Sequence, residues 1–530
     1  MPFRHPPTEN GRHFAATSPV ARFAAHGFVL ASLRSAAVFG IEAYPVSVEV
    51  DVSFGLPVFN MVGLPDTTVR ESRDRVRAAI KNSGYHFPDH RITVNLAPAD
   101  VRKGGSSFDL PIALGLLATN GDVARRAIDD TLVLGELSLD GGINAIRGVL
   151  PIAVAARRLG LSRLVLPPQN AGEASIVTGL QVCTVRSLPE AVGVLNQPES
   201  ARLEAWAAPT PPPDDDADLV DVRGQLAPRR ALEIAAAGGH NLLMCGPPGA
   251  GKTMLARRLP TILPPLTFDE ALDCTAIHSV AGLLPAGGGL LTRRPFRAPH
   301  HSISGAALVG GGPQPRPGEI SLAHQGVLFL DELPEFHRHV LDLMRQPLEE
   351  GRVTIARAAR TVVFPSRFML VAAMNPCPCG YAGDERRTCR CSPAHIARYH
   401  ARVSGPLRDR MDLIVDVPPV PASALDGANT GESSATVCTR VVDARVRQWQ
   451  RYGEDGPRAN ADLKGGAVAR HCRLDVDGRR LLTQAVEAFG LSARGYARVL
   501  KVARTIADLG ASDRVRADDV AEALQYRLAQ

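Results

Sequence analysis

The order of apolar and polar positions divides the chain into three regions of different character. In the first region, apolar and polar residues alternate over residues 46–54, which is typical of a strand with one buried face. A charged helix is predicted over residues 67–83, and Gly84 follows as its stop signal. The same reasoning predicts strands at 92–96 and 164–166 and helices at 108–118 and 150–159.

The second region carries three short apolar runs, at residues 241–245, 326–330 and 368–373. Each has the length of a strand that is buried on both faces. The third region is helical in pattern, with helices predicted at 436–452, 478–489, 493–510 and 517–528. The chain is therefore predicted to be a multidomain α/β protein that ends in a helical domain.

Two stretches of biased composition separate these regions. Residues 207–218 are rich in proline and aspartate and residues 421–435 in small and polar residues, so both are predicted to be linkers. Residues 1–28 lack the apolar stretch of a secretory signal, and we expect a disordered extension or an over-long start. The predicted domains are residues 29–206, 219–420 and 436–530.

Composition narrows the class of protein. The 530 residues are 45% hydrophobic but only 5% aromatic, which weakens base stacking as a main means of binding nucleic acid. The net charge of +6 favours an anionic partner such as DNA without demonstrating one. No apolar run approaches the roughly 20 residues that span a bilayer, and the cysteine spacing is not of the secreted type. We expect a cytoplasmic protein with no membrane partner.

The first apolar run of the second region leads into a phosphate-binding motif between a predicted strand and a predicted helix. Glycines let backbone N–H groups point at phosphate oxygens, and the start of the helix adds about half a positive charge. Lys252 is expected to reach the outer phosphates of ATP and the Thr253 hydroxyl to bind Mg²⁺. A glycine-rich turn that binds nothing is the alternative, but every fixed position is present. The motif consists of Gly246, Pro247, Pro248, Gly249, Ala250, Gly251, Lys252 and Thr253.

Acidic and polar residues end the other two apolar runs. Asp331 is predicted to hold Mg²⁺ through water, and Glu332 to polarise the attacking water. Adjacent side chains on a strand point to opposite faces, so the two carboxylates can take different roles. Asn375 follows the third run and is predicted to orient that water. An apolar strand that ends in surface acids is the alternative; otherwise the reaction is phosphoryl transfer to water.

Four cysteines follow the third run within fifteen residues, in two Cys-x-Cys pairs. Four thiolates can form a tetrahedral Zn²⁺ site, although this spacing is tighter than the usual Cys-x₂-Cys. Structural zinc is favoured, and free thiols or a redox switch stay open. The four residues are Cys377, Cys379, Cys389 and Cys391.

Two basic segments are candidates for contact with DNA. Residues 351–365 are predicted to form a hairpin with Arg357 and Arg360 at its tip, where two cations would contact phosphates without selecting a base sequence. A solvated surface turn is the alternative. Arg297 lies in the other segment and precedes His300 and His301, for which a structural role is favoured over metal binding.

Several long strings identify a family. The chain resembles the ComM/YifB group, which are magnesium-chelatase-like AAA+ ATPases of bacteria, from Leu30 onward. The resemblance implies a Lon-protease-like (S5-type) α+β N-terminal domain, an AAA+ core and a helical lid. It also implies a hexameric ring motor, associated in the ComM branch with DNA branch migration during natural transformation. The strings are VGLPD at 62–66, RESRDRV at 70–76, RAPHH at 297–301 and PGEISLAH at 317–324.

The resemblance also implies roles for single residues. Both nucleotide motifs match, and Asn375 matches the sensor at the end of the third strand. Arg410 resembles the arginine finger that is supplied to a neighbouring subunit, with Arg408 as a rival, and Arg494 resembles the second sensor on the lid. A surface or structural ion pair is the alternative for each arginine. The hairpin at 351–365 matches the hairpin that faces the pore in this clade.

The N-terminal domain resembles a protease that has lost its base. Residues 103–109 resemble the nucleophile turn of Lon-type proteases, with Ser107 at the serine position, but Leu150 lies where the activating lysine belongs. Leucine cannot accept a proton, so a scaffold or docking module is expected, while nearby Lys103 keeps a peptidase open as an alternative.

Three functions are compatible with these observations. A ring ATPase that moves DNA is favoured by the basic charge, the hairpin and the resemblance. The alternatives are a protein-remodelling ATPase and a metal-insertion ATPase as in magnesium chelatase. The partner subunit of that enzyme carries a D-x-S-x-S metal motif, which this chain lacks.

Overall fold

The computed structural model describes residues 29–99, 103–124, 128, 130–204, 217–285, 287–312, 315–356, 361–384, 387–420 and 431–528. Residues 1–28, most of the linker at 207–218, and the segment 421–430 therefore lie outside the described residues. The predicted limits of the domains remain predictions. No helix among the described residues is long and apolar enough to cross a membrane.

The first region builds an eight-stranded mixed sheet in the order β10-β9-β8-β5-β1-β2-β4-β3. Side chains alternate across it: Val46, Val48 and Val50 of one strand are all buried on the same face. The elements are β1 (Val29–Phe39), β2 (Glu42–Ser53), β3 (Val58–Val62), α1 (Thr67–Asn82), β4 (Arg91–Ala97), α2 (Asp109–Asn120), β5 (Thr131–Val133), β6 (Glu136–Leu137), β7 (Ile143–Asn144), α3 (Val149–Arg158), β8 (Arg163–Leu166), α4 (Ala171–Ala174), β9 (Gln181–Thr184), α5 (Leu188–Asn196) and β10 (Leu203–Glu204).

The second region builds a five-stranded parallel sheet in the order β12-β15-β18-β11-β19. The elements are α6 (Leu226–Gly238), β11 (Leu242–Cys245), α7 (Lys252–Ile262), α8 (Phe268–Ala281), β12 (Phe296–Arg297), α9 (Gly305–Val309), β13 (Gly310–Gly311), β14 (Arg316–Pro317), α10 (Glu319–Leu322), β15 (Val327–Leu330), α11 (Arg338–Leu343), α12 (Arg345–Glu350), β16 (Arg352–Ala356), β17 (Thr361–Pro365), β18 (Met369–Met374), α13 (Pro393–His400), α14 (Gly405–Arg408) and β19 (Leu413–Asp416).

The third region is helical and packs on this sheet. A single apolar core joins sheet residues such as Val371 and Val415 to Val441, Val499 and Ala503 of the C-terminal helices. These helices are α15 (Ser434–Tyr452), α16 (Gly466–His471), α17 (Val476–Phe489), α18 (Ala493–Leu509) and α19 (Ala517–Leu528). Short 3₁₀ turns lie at Pro168–Asn170, Pro198–Ser200, Leu219–Asp221, Leu333–Glu335 and Asn460–Asp462.

The observed elements confirm the multidomain α/β class and most of the elements predicted from the pattern. The helix predicted at 67–83 is α1, the three apolar runs are β11, β15 and β18, and the predicted hairpin is the antiparallel pair β16–β17. The hairpin tip at 357–360, with Arg357 and Arg360, lies outside the described residues.

A buried contact joins the first region to the second. Ser279 of α8 donates a hydrogen bond to the Glu173 carboxylate at 2.5 Å, and its carbonyl accepts one from Gly148 N–H at 3.2 Å. Burial raises the pKa of Glu173, although hydrogen bonds from Ser279, Asn170 and the Leu150 N–H oppose the shift. The eight-stranded sheet is thereby held directly against the region that carries the phosphate loop.

Candidate nucleotide-binding site

Three strands end together at one edge of the parallel sheet. Strand β18 lies between β11 and β15, so the residues that follow these three strands are neighbours. The phosphate loop follows β11, Asp331 and Glu332 follow β15, and Asn375 follows β18. In open parallel sheets, ligands bind at the carboxyl ends of the strands.

The phosphate loop has a backbone that requires glycine. Gly249 and Gly251 have φ values of +78° and +87°, which side chains disfavour. At Gly246, an added Cβ would lie 2.2 Å from the carbonyl oxygen of Val417. Behind the loop, buried Gln225 donates from Nε2 to the carbonyl of Ala250 at 2.7 Å. Sequence reasoning did not find Gln225, because it lies outside the motif.

Lys252 begins α7, and its ammonium is turned into the loop. Nζ donates to the carbonyls of Gly246 at 2.6 Å and Pro247 at 3.0 Å, and to Oδ1 of Asn375 at 3.1 Å. The side chain is buried, and this burial lowers the pKa of Lys252. A desolvated ammonium with only neutral oxygens as close partners favours an incoming anion.

Thr253 and Asp331 form the other side of the site. The Thr253 hydroxyl donates to Oδ2 of Asp331 at 2.7 Å, while Oδ1 accepts from the N–H of Glu332 at 2.9 Å. A hydroxyl beside a carboxylate is a donor set of hard oxygens, which fits Mg²⁺. Together with the backbone of the loop and Lys252, these residues fit a nucleotide triphosphate with its Mg²⁺.

Glu332 is held in an uncommon backbone conformation. Its φ is +51°, in the left-handed region, and its side chain is exposed. Its Oε2 lies 3.5 Å from Nδ1 of His301. Sequence reasoning considered His301 only as a structural or metal-binding residue, because β12 and β15 are brought together only by the sheet.

Of the three arginines with predicted roles, Arg410 lies away from this edge, whereas the charge of Arg408 acts on Cys245, the last residue of β11. The carbonyl of Arg410 accepts from Nδ2 of Asn241, just before β11 begins, so Arg410 lies at the opposite edge of the sheet. Its guanidinium pairs with Glu349 and donates to the carbonyl of Pro406 at 2.6 Å. Arg408 ends α14 nearby, and it lines an open depression with Arg338 and Arg345.

Arg494 lies in the first turn of α18 and is exposed. One turn further, Arg498 pairs with Asp412 at 3.3 Å, and Asp412 N–H donates to the carbonyl of Asn241. The start of α18 is therefore anchored at the edge opposite the phosphate loop. The roles of Arg410 and Arg494 remain predictions.

Arg297 is already paired with an acid. It donates to both carboxylate oxygens of Glu319, at 2.6 and 2.7 Å, and the ion pair raises its pKa. A DNA phosphate at this position would have to compete with Glu319, so Arg297 is a weaker candidate for DNA contact than the sequence alone indicated.

The four cysteines of the loop after β18 come together. All four Sγ atoms lie within 4.8 Å of one another, and this is the only group of potential metal ligands found among the described residues. Three Sγ–Sγ distances are 3.3, 3.6 and 3.6 Å, and all four thiols are free. The rings of His300 and His301 lie 4.0 Å apart at a tilt of 35°, without further metal ligands in the described part of the chain.

Comparison with known proteins finds family matches in three parts of the chain. The family described as "Magnesium chelatase, subunit ChlI" matches residues 218–425, and its C-terminal counterpart matches 431–527. A further match, "Subunit ChlI of Mg-chelatase", covers 48–170. The "Competence protein ComM" of Haemophilus influenzae is 45% identical over 94% of this chain and 97% of its own length. The chain belongs to the ComM/YifB family.

Another relative of the family, the "Uncharacterized protein YifB" of Salmonella typhimurium, is also 45% identical over 94% of this chain and 97% of its own. ComM/YifB proteins are magnesium-chelatase-like AAA+ proteins, and the family together with the site supports an ATPase. "Lon protease 2" of Bacillus subtilis is 31% identical over 26% of each chain.

The structure also describes the residues of the Lon-like resemblance. Leu150 is fully buried, and its N–H donates to Glu173, which bonds to Ser279 of α8. The ammonium of Lys103 is buried and donates to the carbonyl of Pro98. Leu150, where the activating lysine of a Lon-type protease belongs, thus takes part in the packing against the ATPase region. This packing favours a scaffold role for the N-terminal region over a peptidase.

Proposed function

We propose that this protein is an ATP-hydrolysing ring motor that acts on single-stranded or branched DNA in the cytoplasm. Its task would be branch migration or unwinding during recombination of incoming DNA in natural transformation. The observation that carries the ATPase part is the convergence of Lys252, Thr253, Asp331 and Asn375 at one edge of the sheet. Similarity to a competence protein over nearly the whole chain supports the DNA part.

Each residue of the site has a separate role in ATP hydrolysis. Backbone N–H groups of the loop and the Lys252 ammonium bind the phosphates, and Asn375 orients Lys252 and the attacking water. Glu332 accepts the proton of that water, and His301 positions its carboxylate. Mg²⁺, held by Thr253 and Asp331, would neutralise charge on the phosphate oxygens.

We propose a homo-hexameric ring because Arg410 and the start of α18 lie at the sheet edge opposite their own phosphate loop. An arginine at that edge cannot contact the phosphates of a nucleotide bound by its own chain, but it is well placed to contact those of a nucleotide bound by a neighbouring subunit. In the same ring the β16–β17 hairpin would carry Arg357 and Arg360 to DNA in the pore.

We also propose that the four cysteines hold a structural Zn²⁺. In a tetrahedral site with Zn–S bonds of about 2.3 Å, sulfur atoms lie about 3.8 Å apart. The Sγ–Sγ distances among Cys377, Cys379 and Cys389, 3.3 to 3.6 Å, are close to that value, and Sγ of Cys391 lies within 4.8 Å of all three.

Two other functions remain to be distinguished. The magnesium chelatase families match the ATPase region and parts of the flanking regions, which favours a metal-insertion ATPase as one alternative. Protein remodelling is the other, with the first region as a docking module.

The deciding experiment measures ATPase rate without DNA and with duplex, single-stranded or four-way-junction DNA, using Glu332→Gln as the blank. Stimulation by single-stranded or junction DNA is expected. Equal turnover under all four conditions would reject the DNA motor and direct the search to protein substrates or to a chelatase partner.

A further inference from the structure

The four-cysteine loop is built into the nucleotide site. It begins two residues after Asn375 and ends at Cys391, two residues before α13. Within it, Cys377 is fully buried, and its Sγ accepts from the N–H of Ala382 at 3.3 Å, as Sγ of Cys389 does from the N–H of Cys391 at 3.4 Å. N–H donors at two of the sulfurs stabilise the thiolate form that a metal requires.

One side of the loop touches the phosphate loop. Gly380 has a φ of +88°, and a Cβ added there would lie 2.6 Å from Cδ of Pro248. The N–H of Gly380 also donates to the carbonyl of Cys377 at 2.9 Å. The backbone of the turn that carries the first cysteine pair therefore packs closely against the ring of Pro248 in the loop that binds phosphate.

The other side of the loop supports the sensor strand. Nε2 of His400 bonds to the carbonyl of Pro376 at 2.9 Å, and the buried hydroxyl of Tyr399 bonds to the backbone of Asn375. Both residues lie on α13, the helix that starts after the second cysteine pair. Closing the two pairs on one ion would tie this helix, the end of β18 and the phosphate loop into one unit.

We infer that a Zn²⁺ held by Cys377, Cys379, Cys389 and Cys391 braces Pro248 and Asn375, so that zinc occupancy sets the affinity for ATP. This inference rests on the nucleotide site proposed above. Binding releases the remaining thiol protons to solvent and leaves four thiolates on one Zn²⁺, without any redox change. Because the coupling between two binding sites is reciprocal, bound ATP must raise the affinity for zinc by the same factor by which bound zinc raises the affinity for ATP.

The test combines metal analysis with nucleotide binding. Wild-type protein is expected to hold one zinc per chain, and the double variant Cys389→Ser/Cys391→Ser to lose it. ATP affinity should then fall by about 5- to 150-fold, the usual range of coupling between sites. Cys438→Ser is the matched control, since its Sγ lies near the carbonyl of Leu263, on another side of the ATPase region.

Two further measurements keep the inference testable if the double variant does not fold. Wild-type protein stripped by a zinc-selective chelator should lose ATP affinity and regain it when zinc is returned. Gly380→Ala should keep its zinc but bind ATP more weakly, because its new methyl group pushes on Pro248.

Zinc-free wild-type protein, or iron in its place, would overturn the inference. So would an ATP affinity that is unchanged when zinc is removed. Neither outcome would count against the ATPase, whereas wild-type protein with full zinc that binds no ATP would reject the proposed function itself.

Discussion

Lys252 shows how a single side chain is prepared for its ligand. Its ammonium is withdrawn from water and held by two backbone carbonyls and by Asn375, and its carboxylate neighbours Asp331 and Glu332 act on it only at longer range. Neutral oxygens compensate a buried charge less well than a phosphate does. Binding a nucleotide therefore replaces weak partners by strong ones.

We expect Lys252→Ala to lower ATP affinity by roughly 10- to 150-fold, since hydrogen bonds from a charged group contribute about 1.5 to 3 kcal/mol. Equilibrium binding of a fluorescent ATP analogue would measure the change. Lys464→Ala, at an exposed position of the C-terminal region, should bind like the wild type. Equal affinities for the two variants would show that Lys252 does not bind ATP.

A second residue predicts how stability depends on pH. His324 is buried before β15, and its Nδ1 accepts the N–H of Arg367 at 3.0 Å, which requires a ring without a proton on Nδ1. Burial, with help from Arg367 and Arg458, lowers the pKa of His324 to about 4. A histidine whose pKa is lower in the folded state than in the unfolded state stabilises the fold at pH values above the unfolded pKa of about 6.5. This stabilisation is lost as the pH falls toward 4.

Between pH 7 and pH 5 the wild type should lose on the order of 2 kcal/mol from this group. His324→Gln keeps an acceptor and does not titrate, so its melting temperature should fall less over the same range. Thermal unfolding at both pH values measures this, with the exposed His86→Gln as control. If His324→Gln lost as many degrees as the wild type, His324 would not be the titrating group.

At the scale of elements, the phosphate loop depends on the close approach of two backbones. Strand β19 ends beside β11, which brings the carbonyl of Val417 into the space that a side chain on Gly246 would occupy. The motif therefore selects glycine at this position because of a neighbouring strand and not because of a positive φ.

We expect Gly246→Ala to abolish ATP binding and to lower the melting temperature, because its Cβ would lie 2.2 Å from that carbonyl oxygen. Gly193→Ala is the matched control, as it lies on α5 with no atom within 4 Å of the added Cβ. There the substitution should stabilise the helix by roughly 0.5 to 1 kcal/mol. If Gly246→Ala bound ATP normally, the end of β19 would have to move aside for the new methyl group, and the close approach of the two backbones would not be required.

At the scale of the whole molecule, the opposite positions of the phosphate loop and Arg410 suggest that activity belongs to the assembly. Within one chain Arg410 is paired with Glu349, so in the proposed ring it would have to exchange this partner for a phosphate of the neighbour. In that ring, the exchange would link hydrolysis to the contact between subunits.

A mixing experiment tests this link. Glu332→Gln and Arg410→Ala should each be inactive alone, but mixed subunits should recover about a quarter of wild-type turnover at equal amounts, as random neighbours dictate. In the mixture, an Arg410→Ala subunit keeps its own Glu332, and its nucleotide pocket receives Arg410 from a neighbouring Glu332→Gln subunit. If mixing restores nothing, and the same mixture with Arg408→Ala does, the finger is Arg408.

Elements and short motifs could be predicted from the sequence where the signal is local. Period-two and helical patterns depend on neighbouring residues only, so α1, the strand β18 and the hairpin β16–β17 were predicted within a few residues. The phosphate motif and the acidic pair were recognisable for the same reason, since each is a short segment whose chemistry depends on fixed spacing.

What the sequence by itself determined was therefore the fold class, many of the elements and the family, and it contains both nucleotide motifs in full. Only the tertiary structure decided that β18 lies between β11 and β15, that His301 reaches Glu332, and that Gly380 rests on Pro248. It also decided that Arg410 lies at the far edge of the sheet. The physical reason is that strand order and packing join residues far apart in the chain, and no local pattern of side chains carries that information.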